Sequence, residues 1–306
     1  MAGYKLLKRL EKIIDILKFQ PGISKSDILD KLNGRYDILT SERTLERDFK
    51  ALQVEFGIDV IYSKQTNGYR LDTENHGRVE SLLKFIELIH VGELFKEGLN
   101  DFELLKEKVA LEDSSKFKNI GVLKDILLAI KKNRHIHFVH ENYWKETEKD
   151  YNITPLLIKE YLNRWYVIGV PKDENEIRTF GLDRIDDFKM GKVSKIIGKD
   201  FDTQLDHFIN VVGLNYSSHH RVEHIVLKIY NKQIRYLESL PLHHSQKIEV
   251  GSDDEYGRVT YHLIPNYEFK CEILKMNAMA EVLEPQWFRK EIAEMVSQTA
   301  ENYKDK

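Results

Sequence analysis

The run Tyr151-Asn-Ile-Thr-Pro155-Leu-Leu-Ile-Lys-Glu-Tyr161-Leu-Asn-Arg164-Trp-Tyr-Val-Ile-Gly-Val170, continued by Arg178-Thr-Phe180-Gly-Leu-Asp183-Arg184-Ile185, decides how this chain is read. β-branched and aromatic residues dominate it, and short polar or glycine-bearing breaks divide it into strand-length pieces. Upstream, His135-Ile-His-Phe-Val-His140 alternates polar and apolar residues like a half-buried strand. Further β runs are expected near 149–159, 164–170, 176–181 and 184–190. A helix carrying Val122, Ile126, Leu127 and Ile130 leads into them. Five short strands behind one helix predict a small β-barrel over residues 120–200.

Cations and π-faces crowd this region: Tyr143, Trp144, Lys145, Tyr161, Arg164, Trp165, Tyr166, Arg178 and Arg184. Arginine makes bidentate contacts to phosphate, and aromatic rings stack on bases. The mixture suits a nucleotide, an oligonucleotide or single-stranded DNA better than an apolar ligand. Adjacent strand residues point to opposite faces, so Trp165 and Tyr166 cannot line one pocket, and one of them is expected in the core. Arg164 and Tyr166 share a face, as do Arg178 and Phe180. The Pro155-Leu-Leu, Arg164-Trp-Tyr-Val and Leu182-Asp-Arg-Ile strands resemble the WYL domain, with Val167 where the family triplet has leucine. The resemblance implies an Sm- or SH3-like small barrel that binds a regulatory ligand beside a DNA-binding domain. It places Tyr166 and Arg184 in the ligand site. This chain has His140 and Tyr151 where relatives often have tyrosine and arginine. The candidate ligand-binding residues are His140, Tyr143, Arg164, Trp165, Tyr166, Arg178 and Arg184; ion pairs of the arginines with Asp183, Asp186 or Glu174 are the alternative.

Nearer the amino terminus, Leu6, Leu10, Ile13, Ile14 and Leu17 fall at helical spacing and Pro21-Gly22 closes the helix. Ser24 and Asp27 form a capping box for a second helix, with Ile28, Leu29 and Leu32 on its apolar face and Asn33-Gly34 as its stop. A third helix runs from Thr40 or Ser41 to about Phe56. Leu45, Phe49, Leu52 and Phe56 make its inward stripe, and Arg43, Arg47 and Lys50 repeat that spacing on roughly the opposite side. Asp48 lies near the buried side and is read as structural. Asn67-Gly68 between two β-rich runs predicts a hairpin, from which Lys64 or Arg70 reaches a DNA backbone. Ser41-Glu-Arg43-Thr44-Leu45-Glu-Arg47-Asp48 resembles the recognition helix of DeoR-like winged-helix regulators. The resemblance makes residues 1–72 a winged helix-turn-helix DNA-binding domain, with Ser41, Arg43, Thr44, Arg47, Lys50, Lys64 and Arg70 as the DNA-binding set. Thirteen Lys and Arg stand against eleven Asp and Glu there, so a net of +2 gives modest affinity per domain and favours a dimer on two half-sites.

Residues 73–119 read as a helical connector with Leu82, Leu83, Ile86 and Ile89 in an apolar stripe; it pairs protomers or packs on its own domain. From residue 201 the order is β-α-β-β-α-β with a terminal helix, which predicts a ferredoxin-like α+β layer over 201–306. Glu281-Val-Leu-Glu284-Pro285 and the helix after it resemble the extension often attached to WYL domains.

Composition agrees with a multidomain α+β protein: 306 residues, 42% hydrophobic and 32% charged, with a net charge of −3 that confines any nucleic-acid contact to a local patch. No apolar run reaches the roughly 18–20 residues of a bilayer span, the start lacks a signal peptide's apolar core, and a lone Cys271 fits a reducing cytoplasm. No phosphate loop, dinucleotide fingerprint, nucleophile elbow or zincin motif is present. His135 and His137 share a strand face, but without supporting Cys or carboxylate spacing they read as packed or solvated histidines. The chain is therefore expected to be a non-enzymatic, cytoplasmic, ligand-responsive transcriptional regulator without cofactor or metal, with repression its expected direction. Its expected partners are double-stranded DNA, a nucleotide, oligonucleotide or single-stranded nucleic-acid effector, and a second copy of itself. The competing reading is an accessory module that holds nucleic acid for a partner enzyme without promoter control.

Overall fold

The computed structural model describes residues 2–72, 74, 76–98, 119–143, 145–215, 221–250 and 255–304. The chain divides into two compact units, Met1–Leu111 and Glu112–Lys306. Trp144 and the part of the expected connector at 99–118 lie outside the described residues.

The first unit is built on helix α1 (Ala2–Phe19), whose Leu10, Ile13, Ile14 and Leu17 are fully or almost fully buried. Helix α2 (Lys25–Asp30) is capped as its sequence requires: the Ser24 hydroxyl accepts from the Asp27 amide at 3.2 Å and donates to its carboxylate at 2.6 Å. Asn33-Gly34 does not stop it. The chain continues through a π turn, Lys31–Arg35, because the Asn33 amide group is used elsewhere, bonding the Thr40 backbone at 2.6 and 3.2 Å. That bond sets the loop into α3 (Glu42–Phe56), capped by Ser41 and ended by left-handed Gly57. Leu45 and Leu52 of α3 are wholly buried, and each such leucine stabilises by roughly 1.5–3 kcal/mol.

Strands β1 (Val60–Ser63) and β2 (Gly68–Leu71) form the expected antiparallel hairpin, with Asn67 at φ 50°. Phe49 of α3 packs on Tyr69 with ring centroids 5.1 Å apart, and Tyr69 exchanges backbone hydrogen bonds with Gly22 and Ile23. Gly68 is required there, since a Cβ would come within 1.9 Å of the Gly22 carbonyl oxygen. Helix α4 (His76–Gly98) packs back on this unit: Val79, Leu82 and Ile86 join its core, Glu80 pairs with Lys18 at 2.6 Å, and the His90 ring meets Tyr4 edge-on.

In the second unit helix α5 (Leu123–Lys131) precedes β3 (Arg134–Asn142), β4 (Thr147–Tyr161), β5 (Arg164–Pro171), β6 (Arg178–Gly181) and β7 (Ile185–Val193). All pairings are antiparallel, in the order β6-β5-β4-β3-β7. The expected barrel is not closed. β6 and β7 are joined by the turn Leu182–Arg184, and no ladder pairs them among the described residues, so the sheet is open. Ile136, Phe138, Ile153, Val167 and Phe180 form its core with Ile126 and Ala129 of α5.

After the short helix α6 (Asp202–Asp206), β8 (Glu223–Tyr230), α7 (Asn231–Ser239), β9 (Lys247–Glu249), β10 (Tyr256–Leu263), α8 (Tyr267–Lys275), β11 (Ala280–Glu284) and α9 (Gln286–Glu301) complete the chain. Strands and helices follow one another in the expected β-α-β-β-α-β order, and their sheet is antiparallel in the order β11-β8-β10-β9. Among the described residues no helix is long and apolar enough to cross a membrane.

Asp48 is wholly buried on α3 and forms a bidentate ion pair with Arg9 of α1, one bond at 2.9 Å; the pairing raises the Arg9 pKa. Removing one partner strands a buried charge. Arg9→Ala is expected to destabilise the chain by about 3 kcal/mol in urea denaturation. A loss below about 1 kcal/mol, the level of an exposed pair, would show that this ion pair does not hold α3.

Candidate functional site

Two surfaces gather the candidate residues, one in each unit. On α3 the capping Ser41 accepts from the Thr44 amide at 3.3 Å, and the two hydroxyls lie 3.0 Å apart. Both candidates thus also hold the start of the helix. Arg43, Arg47 and Lys50 are exposed, share one face, and have no ion pair among the described residues. The opposite face is fixed by Leu45, Asp48 and Leu52, so the basic row has a defined outward direction. Lys64 is exposed in the hairpin loop. Arg70 is placed differently. It is half-buried, its guanidinium reaches the Leu71 carbonyl at 3.4 Å, and it lines a cleft with Leu17, Lys18 and Val79 that includes no α3 residue.

The second surface is a cleft of about 410 Å³ at one end of the five-stranded sheet. Alternation along β3 builds its floor: Ile136 and Phe138 are core residues, and His140 is next on the same face. The His140 ring packs edge-on against Phe180 at 5.3 Å and Tyr151 at 6.2 Å. Arg178, Thr179 and Arg184 line one wall; Phe208, Leu214 and Asn215, from the segment after β7, line another. Among the described residues no carboxylate lines the cleft. Arg184 lies over the Tyr143 ring at 5.1 Å and stands 3.6 Å from Asp183, while Arg178 pairs with Glu174 at 2.5 Å on an exposed edge. The His140 Nε2 atom is buried and without a hydrogen-bond partner among the described residues. Burial, and secondarily the positive charge of Arg184, push the His140 pKa down to about 4, so the ring is neutral at neutral pH. A neutral imidazole facing two arginines leaves one polar atom for a ligand that is itself anionic.

The structure therefore brings together His140, Arg178 and Arg184, with Tyr143 stacked on the last. Arg164 stands outside the lining, 3.9 Å from Asp183. Trp165 is half-buried against the core around Phe138 and Val167. Tyr166 is buried on the other face, across the ladder from Gly181, where burial raises its pKa and Arg164 bonds its phenol. Tyr151 and Phe180 were visible in the sequence through strand alternation. Phe208, Leu214 and Asn215 had no local signal, because residues far along the chain place them. The Glu268 carboxylate of α8 accepts from the Leu214 and Asn215 amides at 3.0 and 2.8 Å, and Asn266 bonds the Val212 carbonyl at 2.6 Å. Gly213, at φ 73°, has no space for a side chain between Glu268 and Tyr161. Lys159 of β4 completes the attachment, its ammonium 5.3 Å from the Phe208 ring.

Residues 121–190 match the WYL domain family. Residues 221–300 match the WCX domain family. The cleft thus has its floor and arginine wall in the WYL domain, and its other rim is held by the first turn of a WCX helix. No curated protein matches the sequence. Similar solved structures include proteasome accessory factor B/C (PafBC) of Arthrobacter aurescens, at 16% identity and a TM-score of 0.30 over 94% of this chain and 46% of that one. The chain thus spans less than half the length of that protein. Another, described as a CRISPR Cas-related protein, matches at 11% identity and a TM-score of 0.39 over 97% of this chain and 85% of that one.

The His140 pKa provides a direct probe of the cleft. The unfolded chain binds a proton near pH 6.5 and the folded ring only near 4, so folding loses stability as pH falls through that interval. Imidazole titration by NMR is expected to give a His140 midpoint near 4. In Arg184→Ala the midpoint should rise, since a nearby positive charge and a packed neighbour are removed together. An unchanged midpoint would separate the two residues.

Proposed function

We propose that this chain is a ligand-responsive DNA-binding transcriptional regulator of the cytoplasm, acting as a homodimeric repressor and not as an enzyme. The observation that carries the reading is the basic row on α3. Arg43, Arg47 and Lys50 face outward without ion pairs among the described residues, on a helix whose other side is locked into a core by Asp48 and two buried leucines. A hairpin packed on that helix supports reading the first unit as a winged helix-turn-helix domain, with Lys64 on its wing. Such a helix enters the major groove, where arginine reads guanine and hydroxyls near the helix start take phosphate. The WYL cleft supports the sensory half: two arginines, aromatic walls and an orphaned imidazole nitrogen suit a nucleotide or a short single-stranded nucleic acid. In this reading the WYL sheet is Sm- or SH3-like and the WCX domain ferredoxin-like.

Binding to the DNA upstream of the chain's own gene, compared with a scrambled fragment at about 150 mM salt, tests the first half. A preference of at least tenfold, equivalent to about 1.4 kcal/mol, is expected and should vanish in Arg43→Ala/Arg47→Ala. If selection from a genomic fragment library also recovers no preferred site, the regulator reading fails. For the cleft, a short single-stranded DNA oligonucleotide is expected to change operator affinity in the wild type. Arg184→Ala should keep operator binding and lose that response. Wild-type response in the variant would remove Arg184 from the effector site.

A further inference from the structure

The face of the five-stranded sheet opposite His140 carries a second cleft, of about 540 Å³. His135 and His137 alternate with the core residues Ile136 and Phe138, so their side chains leave the sheet on that other face. Asn152 pairs with His137 across the ladder and lines the cleft beside it. Lys172, just past β5, and Lys192 and Lys195, at the end of β7, bring three cationic side chains to the same cleft. All three lysines are exposed, and none has an ion pair among the described residues. No carboxylate lines the cleft among those residues; Asp150 lies 3.8 Å from the His137 Nε2 atom but is not part of the lining.

The backbone that carries these cations is fixed by buried polar bonds. Thr154 is wholly buried, and its hydroxyl lies 2.6 Å from the Ser194 hydroxyl and 3.2 Å from the His135 Nδ1 atom. The Ser194 hydroxyl accepts from the Ile196 amide at 3.0 Å, and the Asn133 side chain donates to the Ser194 and Ile196 carbonyls at 3.3 and 3.0 Å. The turn bearing Lys195 is thus held from two sides. His135 is held by one ring nitrogen and presents the other edge of its ring to the cleft it lines. Gly191 makes room for that ring's stem, since a Cβ there would stand 3.1 Å from the His135 Cβ. The Lys172 amide donates to the Asn152 carbonyl at 2.9 Å. A satisfied polar network of this kind fixes one arrangement. Here it gathers like charges into a concave site, where their field is focused and nothing on the chain neutralises it.

We propose that this cleft binds an oligophosphate chain, at a site separate from the His140 cleft. Lysine meets phosphate as a compact point charge, and several lysines on two segments match several phosphates in a row. The volume is that of a small-ligand site. The His140 cleft has Tyr151 and Phe180 in its lining; among the described residues this one has no phenyl, phenol or indole ring. It therefore reads charge and length and has no platform on which a base would stack. An inorganic oligophosphate and the phosphate tail of a nucleotide offer it the same chemistry.

Isothermal titration calorimetry of the full chain with sodium tripolyphosphate, at about 150 mM salt, tests the assignment. One equivalent is expected to bind with a dissociation constant below about 100 µM. Lys192→Ala/Lys195→Ala should weaken binding at least tenfold, and Lys172→Ala, on a different segment, should weaken it as well. These side chains are exposed, so circular dichroism melts should match the wild type. Arg184→Ala, in the other cleft, should bind tripolyphosphate like the wild type. Displacement by ATP but not by AMP supports the phosphate chain as the recognised group; ATP at least tenfold tighter than tripolyphosphate would make a nucleotide its source, and equal affinities an inorganic chain. No binding at about 1 mM, displacement by AMP as readily as by ATP, or binding lost in Arg184→Ala and kept in the lysine pair would each overturn the proposal. It also falls if tripolyphosphate does not bind while the lysine pair loses tenfold in affinity for duplex DNA, which would assign the cleft to a nucleic-acid backbone. The regulator reading is decided separately by the Arg43/Arg47 measurement.

Discussion

Side-chain alternation along β3 organises the second unit. This strand is bonded to β4 on one edge and β7 on the other, so its backbone has no freedom to slip. Its inward residues run from Ile136 and Phe138 in the core to His140 at the cleft. The hydrophobic burial that fixes the first two also fixes the third, which is why an imidazole is held in a site that suppresses its charge. A slip of one residue would present His137 and Val139 instead and dissolve both core and cleft. The aromatic cage of Tyr151 and Phe180 and the arginine wall are arranged around that ring.

The first unit solves a similar problem with a charge. The basic row of α3 keeps one outward direction because Asp48 as well as the buried leucines prevent the helix from rotating. The carboxylate is buried because Arg9 meets it with two bonds, so the orientation of the basic row depends on a residue of another helix, α1. Phe49 against Tyr69 ties the hairpin to the same helix.

Much of this was legible in the sequence because the signals are local. Strand alternation, the Ser24–Asp27 cap and the four-three spacing of Leu45, Phe49 and Leu52 each reflect contacts within a few residues. Asn33-Gly34 shows the limit: its composition is that of a helix stop, but the Asn33 side chain is taken by Thr40 seven residues on, and the helix continues as a π turn. The barrel expectation failed at the same level. Strand count and length do not determine whether edges meet, and here β6 and β7 are joined by a turn and not by a ladder. In the cleft, His140, Arg178 and Arg184 were within reach of pattern reading. The rim at Leu214 and Asn215 was not, because the carboxylate that positions it lies more than fifty residues away in sequence.

That rim also sets where this protein can be divided. The arginine wall lies in the segment that matches one domain family and the carboxylate clamping the opposite rim in the segment that matches another, so the proposed ligand cleft crosses the seam between two family matches. Exchange of the WYL segment alone would bring a new floor to an old rim. The proposed site therefore takes in the 207–215 segment and Glu268 along with the five-stranded sheet, and is longer in sequence than either family match.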